Sequence, residues 1–449
     1  MALSNYENMA LGKFNVDYEQ RVDIPKMRAD KHVRAQAAMQ SDNISIIITW
    51  NADNCRYLTS AYLTTPNRAG EYQYATFTKN GLATFYGGTP EETSRRMPWL
   101  NGRVFDAFGS ALKAGVYTDD APAVVRQCKN VLENLEEAKL KPAACDPATG
   151  KLTAENDGVV GIDGTAMVHV YLAAFQKLGI KAVWASKTLD MARAVKTSEE
   201  IKIMRQVAAN TEIAFAAMVD AIRPGIKECE LVGIGLNALY AEGIDHSEDI
   251  VCMSGENTNP YNWTFTDKQI RPGDAIYIDV DAASYLGYKS CVYRTFYCGK
   301  PTDSQRKTYD QALAMLRGGI DACKAGNTNF DIQKGFGLTD ALRIEAWGTT
   351  DWYGHDPWAL AHGCGLTLHD RPFVAHSYME NGGEEIPLEP GMVIAVETYA
   401  GSPEKRTGAR IEDMVLITET GGEVISRFPI DEPIACWRDW IPNTRGIIM

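Results

Sequence analysis

The sequence predicts two domains of different class, an α/β domain over residues 1–190 followed by an α+β domain over residues 191–449. Three observations carry that reading. The β-branched run ISIIITW at 44–50 is followed by YATFTKNGLATFYGG at 74–88, a hairpin pattern with Asn80-Gly81 at its turn, and then by the helical patterns QCKNVLENLEEAKL and AMVHVYLAAFQKLGI. A new helix begins at Thr197, where Thr197 and Glu200 have capping-box spacing, and Arg223-Pro224-Gly225 stops it. Beyond residue 249 strands and helices alternate less regularly, and the chain ends in three strand-like runs, GMVIAVETYAG, ARIEDMVLIT and GEVISRF.

In order, residues 1 to about 25 read as an irregular arm, and KMRADKHVRAQAAMQSDN as a helix leading into the first strand. The α/β domain closes near 183–186. In the second domain ECELVGIGLNALYAEG is a second helix. The stretch DAIYIDVDAASYLGYKSCVYRTFYC at 274–298 is two buried strands joined by a turn, and TYDQALAMLRGGIDACKAG and DIQKGFGLTDALRIEAWG are helical.

The chain has 449 residues, 45% apolar and 23% charged, the composition of an ordinary globular protein. A net charge of −13 opposes sequence-independent binding to nucleic acid, which needs clustered Lys and Arg, so a small-molecule partner is expected. The first twenty residues lack a basic segment followed by an apolar one, and no run is apolar enough to span a bilayer. The expectation is a cytoplasmic protein without membrane contact. Ten cysteines without a CxxC pair read as reduced thiols, Cys291 being the exception.

The chemistry concentrates in the second domain. Asp279 and Asp281 end the first strand of the 274–298 hairpin and Cys291 stands near the start of the second, three potential ligands where buried carboxylates need a partner. Histidines recur at 355, 362, 369 and 376, but Pro357, Gly363, Gly365 and Pro372 exclude a continuous helix through them. In HGCGLTLHDRP the glycines flanking Cys364 imply close backbone approach, with His362 presenting an imidazole and His369 farther along. Glu397 in MVIAVETYA and Glu412 in ARIEDMVLIT lie inside apolar strands. Asp279, Asp281, Cys291, His362, Glu397 and Glu412 together form an oxygen-rich set with one imidazole and one thiol, suited to one or two divalent ions, Fe, Zn or Mn.

The order of Asp-bearing hairpin, HGxG loop, VET strand and RIED strand resembles the creatinase/aminopeptidase P superfamily of pita-bread metallopeptidases. NCRYLTSAY and KTSEEIKIMR extend the resemblance over most of the chain. It implies a creatinase-like N-terminal domain before a pita-bread catalytic domain, and a homodimer in which Arg56, Tyr57 or the NRAGEYQY loop reaches a neighbour's pocket. It also implies that Asp279, His362, Glu397 and Glu412 are metal ligands and that His369 contacts substrate. Cys291 stands where the peptidases place a second metal Asp, and Pro260-Tyr261-Asn262 stands where they place a His after the Pro.

The Asp279-Val280-Asp281 spacing and the NPY loop look like the branch containing dimethylsulfoniopropionate lyases. There both hairpin aspartates and a third Asp are ligands, and an Asp six residues after the metal His is the base; here those last two positions hold Cys291 and Leu368. His369, Asp370 or Asp281 is then the candidate base, Tyr261 and Trp263 an aromatic wall, and Arg294, Arg371 and Arg410 candidate clamps for a substrate carboxylate. The leading expectation is a metal-dependent lyase or hydrolase acting on a small zwitterionic or carboxylated metabolite. The alternatives are an Xaa-Pro dipeptidase, a metal-independent creatinase-like C–N hydrolase, and a binding protein without catalysis.

Overall fold

Local sequence signals start and stop the elements that matter. The computed structural model describes residues 22–61, 73–107, 118–164, 168–281, 283–338 and 359–437. The N-terminal arm up to residue 21, His355, most of the NRAGEYQY loop and the segment 339–348 expected to be helical lie outside the described residues. The chain divides into two compact units, Met1–Arg193 and Ala194–Met449.

In the first unit, helix α1 (Ile24–Ser41) begins where Asp23 accepts a hydrogen bond from Lys26 N. The unit's main sheet is made of β1 (Ile44–Thr49), β2 (Tyr74–Thr78), β3 (Ala83–Gly87), β4 (Val104–Asp106), β5 (Val159–Asp163) and β6 (Ala182–Trp184). They form one mixed sheet in the order β4-β3-β2-β1-β5-β6, with β1 antiparallel to β2 and parallel to β5. The β2–β3 hairpin turns at Asn80-Gly81 as the sequence predicts, Gly81 having φ +94°. Helices α2 (Pro122–Glu137) and α3 (Val168–Lys177) cover one face, where Val131, Leu135 and Phe175 pack with Ile46, Ile48 and Ile162.

The second unit opens with helix α4 (Ser198–Ala221). The expected capping box is present: Thr197 Oγ1 accepts from Glu200 N at 3.2 Å, and Glu200 Oε2 accepts from Thr197 N at 2.8 Å. Helix α5 (Glu228–Ala241) follows. Strands β7 (Asp249–Ser254), β8 (Ala275–Asp281) and β9 (Tyr293–Cys298), with β10 (Ile434–Cys436), make a four-stranded sheet in the order β10-β9-β8-β7. The predicted hairpin pairs Ala275 with Tyr297 through Asp279 with Tyr293. It does not turn directly: a separate two-stranded ribbon, Ser284–Tyr285 with Tyr288–Lys289, lies between β8 and β9 and leaves Cys291 just ahead of β9.

A five-stranded antiparallel sheet is built from Asp370–Val374, Ala359–Gly363, Val393–Gly401, Gly408–Ile417 and Gly422–Val424, in that spatial order. Helix α6 (Asp303–Ala322) packs on the two long strands, its backbone accepting the Thr398 hydroxyl at Ala312 O. The glycine after His362 is required by space: a Cβ on Gly363 would stand 2.2 Å from Arg371 O. Among the described residues no helix is long and apolar enough to cross a membrane.

Candidate metal centre

Strand alternation decides which side chains meet. In β8 every second residue faces one way, so Tyr277, Asp279 and Asp281 share a face, and the pair Asp279↔Tyr293 adds Tyr293 to it. In the five-stranded sheet the register pairs Glu397↔Glu412 and Tyr399↔Arg410, and places His362 opposite Ala395, two residues from Glu397. His362, Glu397, Tyr399, Arg410 and Glu412 therefore line one face. Two carboxylates directly across a strand pair are unfavourable unless a positive charge stands between or beside them.

Two groups of donors converge within the reach of a cation. Ligand atoms of Cys291, His362 and Glu412 lie within 4.8 Å of one another, and so do those of Asp279, Asp281 and Cys291. All but Asp281 are buried, Glu412 and His362 completely. Asp279 Oδ1, Asp281 Oδ1, His362 Nε2 and both Glu412 oxygens have no hydrogen-bond partner. Burial without partners is costly for any of these atoms and five together need a common explanation. A divalent ion supplies one, since its charge satisfies carboxylate, thiolate and imidazole at once.

Burial also governs the protonation of these groups. Burial, and then Asp281, Glu412 and Glu397, push Asp279 well above the usual carboxylate range. Burial raises Asp281 to about 7, and burial with Glu397 raises Glu412. The Cys291 thiol is pushed up by burial and by the acids around it. His362 falls to about 3, chiefly through burial and then His369, so it is a neutral imidazole at pH 7. Its Nδ1 stands 3.0 Å from Gly363 O, which leaves Nε2 as the lone-pair nitrogen. A divalent ion takes the imidazole neutral and the acids deprotonated, so its uptake displaces the protons that burial holds on Asp279, Asp281 and Glu412.

Glu397, expected as a further ligand, stands directly across the strand pair from Glu412. It lies in neither donor group, and its Oε2 is bonded to Arg410 Nη2. Arg410 is in turn held between two rings, 4.1 Å from the centroid of Tyr261 and 4.4 Å from that of Tyr293, whose hydroxyls stand 3.4 Å apart. Sequence reasoning selected Tyr261 and Arg410 but missed Tyr293. The signal was there, since Tyr293 follows Cys291 by two residues in the strand that pairs with the Asp-bearing one.

Other expected site residues are placed elsewhere. Arg294 pairs with Ile278 and so points to the opposite face from Asp279. There it is buried, donating to Asp413 Oδ1 at 2.7 Å and to Phe428 O at 2.9 Å, which makes it a structural ion-pair partner and not a substrate clamp. Asp370 is buried, with its Oδ2 3.6 Å from the buried ammonium of Lys196. Arg371 pairs with Glu384 at 3.2 Å. Trp263 meets Tyr261 edge-on at 5.8 Å between centroids, but at 69% exposure it is not a packed wall. His369 is exposed and its ring lies 4.4 Å from that of His362, with burial of its inner edge lowering its pKa. Leu368, at the lyase-base position, is buried and carries no proton donor.

The model of metallopeptidase family M24 matches residues 202–419, which contain every residue of both donor groups. The uncharacterised peptidase YqhT of Bacillus subtilis is 30% identical over 285 residues, spanning 62% of this chain and 76% of that protein. An Xaa-Pro dipeptidase of Pyrococcus furiosus is 29% identical over 278 residues, 61% of this chain and 75% of its own length. Among solved structures, an Xaa-Pro dipeptidase from Bacillus anthracis superposes with a TM-score of 0.68 at 24% identity, covering 91% of this chain and 99% of that one, a likeness of fold: an N-terminal domain followed by a pita-bread catalytic domain. These relatives do not carry the resemblance to the lyase branch. The buried donor groups and the sequence match over them agree, and the chain belongs to metallopeptidase family M24 of the creatinase/aminopeptidase P superfamily.

Proposed function

We propose that this chain is a metal-dependent dipeptidase that hydrolyses small dipeptides of the Xaa-Pro type. The observation that carries the reading is the set of five buried, unpartnered donor atoms on Asp279, Asp281, His362 and Glu412, with the Cys291 sulfur among them. The named dipeptidases among its relatives support this substrate class over the sulfonium zwitterion that the hairpin spacing alone favours. Asp279, Asp281, Cys291, His362 and Glu412 hold the ion or ions. A divalent ion there supplies Lewis-acid activation of water and of a substrate carbonyl.

The remaining steps belong to the chain's own groups. Glu397, fixed by Arg410 and facing Glu412 across the strands, is positioned to take a proton from the attacking water and return it to the departing amine. His369, exposed with its ring 4.4 Å from that of the buried His362, has its pKa lowered by burial and offers a ring N–H to the carbonyl oxygen as charge develops on it. Tyr261 contributes a ring and a hydroxyl at the position where the resembled peptidases place a histidine, and its hydroxyl stays protonated because burial pushes its pKa up. A homodimer belongs to the same reading, and light scattering on the purified chain tests it.

The test is hydrolysis of Ala-Pro, Gly-Pro and Met-Pro by the full chain after chelation and reloading with Zn, Co, Mn or Fe. The reading expects release of free proline that disappears on chelation and returns with metal. Proline release that is indifferent to chelation, or none with any of the four ions, overturns it.

A further inference from the structure

Cys291 is the one residue common to both donor groups. Its Sγ lies within 4.8 Å of the ligand atoms of His362 and Glu412, and also within 4.8 Å of those of Asp279 and Asp281. It is 3% exposed and precedes β9 by two residues, so the strand pairing that places Tyr293 opposite Asp279 also anchors the sulfur. We propose that the Cys291 thiolate is a ligand shared between two cation positions and that it turns the site toward thiophilic ions, zinc and cobalt(II), and away from manganese. The proposal rests on the metal-dependent reading above and specifies which ions that site takes and through which atom.

Carboxylate and water suit Mn, whereas a thiolate is a soft donor that favours Zn and its tetrahedral counterpart Co(II). A sulfur carries more than one lone pair, so a single thiolate can serve two ions. The partners it would join are committed to nothing else: Asp279 Oδ1 and Asp281 Oδ1 in one group, His362 Nε2 and the Glu412 oxygens in the other. Uptake is a proton exchange without redox change: the Cys291 S–H bond breaks, a sulfur–metal bond forms, and the proton leaves to solvent. A second thiol, Cys364, lies 3.7 Å from His362 Nδ1, but that is the ring nitrogen facing Gly363 O, and Cys364 belongs to neither donor group.

The experiment uses the full chain, freed of metal by chelation and titrated with cobalt(II) while its absorption is recorded. The proposal expects visible d–d bands together with a near-ultraviolet sulfur-to-cobalt charge-transfer band that grows through the second equivalent. Cys291→Ser abolishes the charge-transfer band and keeps d–d absorption, and Cys364→Ser leaves both. Cys291→Asp, which restores a carboxylate and covers the case in which the serine variant does not fold, lowers the preference for zinc over manganese by about tenfold or more in a competition titration. Cobalt uptake without the charge-transfer band, loss of the band in Cys364→Ser and not in Cys291→Ser, growth that stops at one equivalent, an unchanged zinc preference in Cys291→Asp, or no uptake at all overturns it. A charge-transfer band in a protein that hydrolyses no dipeptide leaves this inference standing and removes the proposed substrate.

Discussion

At the scale of single residues the site is held in tension by its own acids. Asp279, Asp281 and Glu412 are each pushed up by burial first and then by neighbouring acids, Asp279 by Asp281 and both Asp281 and Glu412 by Glu397, which means that the folded, metal-free chain holds protons the unfolded chain has lost. The sign follows from linkage: where the folded state binds more protons, stability falls as pH rises. For Asp281 the window runs from its ordinary 3.8 to about 7. The chelated protein is therefore expected to lose thermal stability from pH 5 to pH 7, and saturating metal is expected to remove that slope. Glu412→Gln, a neutral side chain of the same shape, raises the melting temperature of the chelated protein at pH 7 while lowering metal affinity. Calorimetry with and without chelator checks both, and a chelated protein whose stability is flat or rising over this interval contradicts the account.

At the scale of elements, the two-residue period of the strands sorts functional from structural charges. Glu412 faces the site while its neighbour Asp413 faces away and meets Arg294. Arg294→Met leaves Asp413 buried and uncompensated, a loss of about 3–5 kcal/mol by analogy with other broken buried ion pairs. Its folded fraction is expected to bind metal as the parent does, measured by urea unfolding alongside metal titration, and a variant of full stability that loses metal would return Arg294 to the site. Alternation explains what was legible in the sequence. Asp279, Asp281, His362 and Glu412 sit in runs of apolar residues where an ionisable group is out of place, and that local incongruity marks them. Inter-strand register leaves no such local mark. The pairing of Tyr399 with Arg410, the sandwich of Arg410 between Tyr261 and Tyr293, and the ion pair of Lys196 with Asp370 join residues far apart in the chain or of ordinary type, and only the assembled sheets bring them together. For the same reason Arg294, close to Cys291 in sequence, read as a site residue when it is on the wrong face.

At the scale of the molecule, metal and fold are coupled. Both donor groups lie in the unit Ala194–Met449, so ion binding is expected to stabilise that unit's unfolding transition by about 2.7 kcal/mol at a free concentration one hundred times the dissociation constant. The measurement that tests the central claim most directly is the metal content of the purified chain by elemental analysis, paired with proline release from Ala-Pro before chelation, after it and after reloading. One or two equivalents of a divalent ion, lost with the activity and regained with it, is the predicted result. A chain that holds no stoichiometric metal after reloading and hydrolyses the dipeptide regardless contradicts the account.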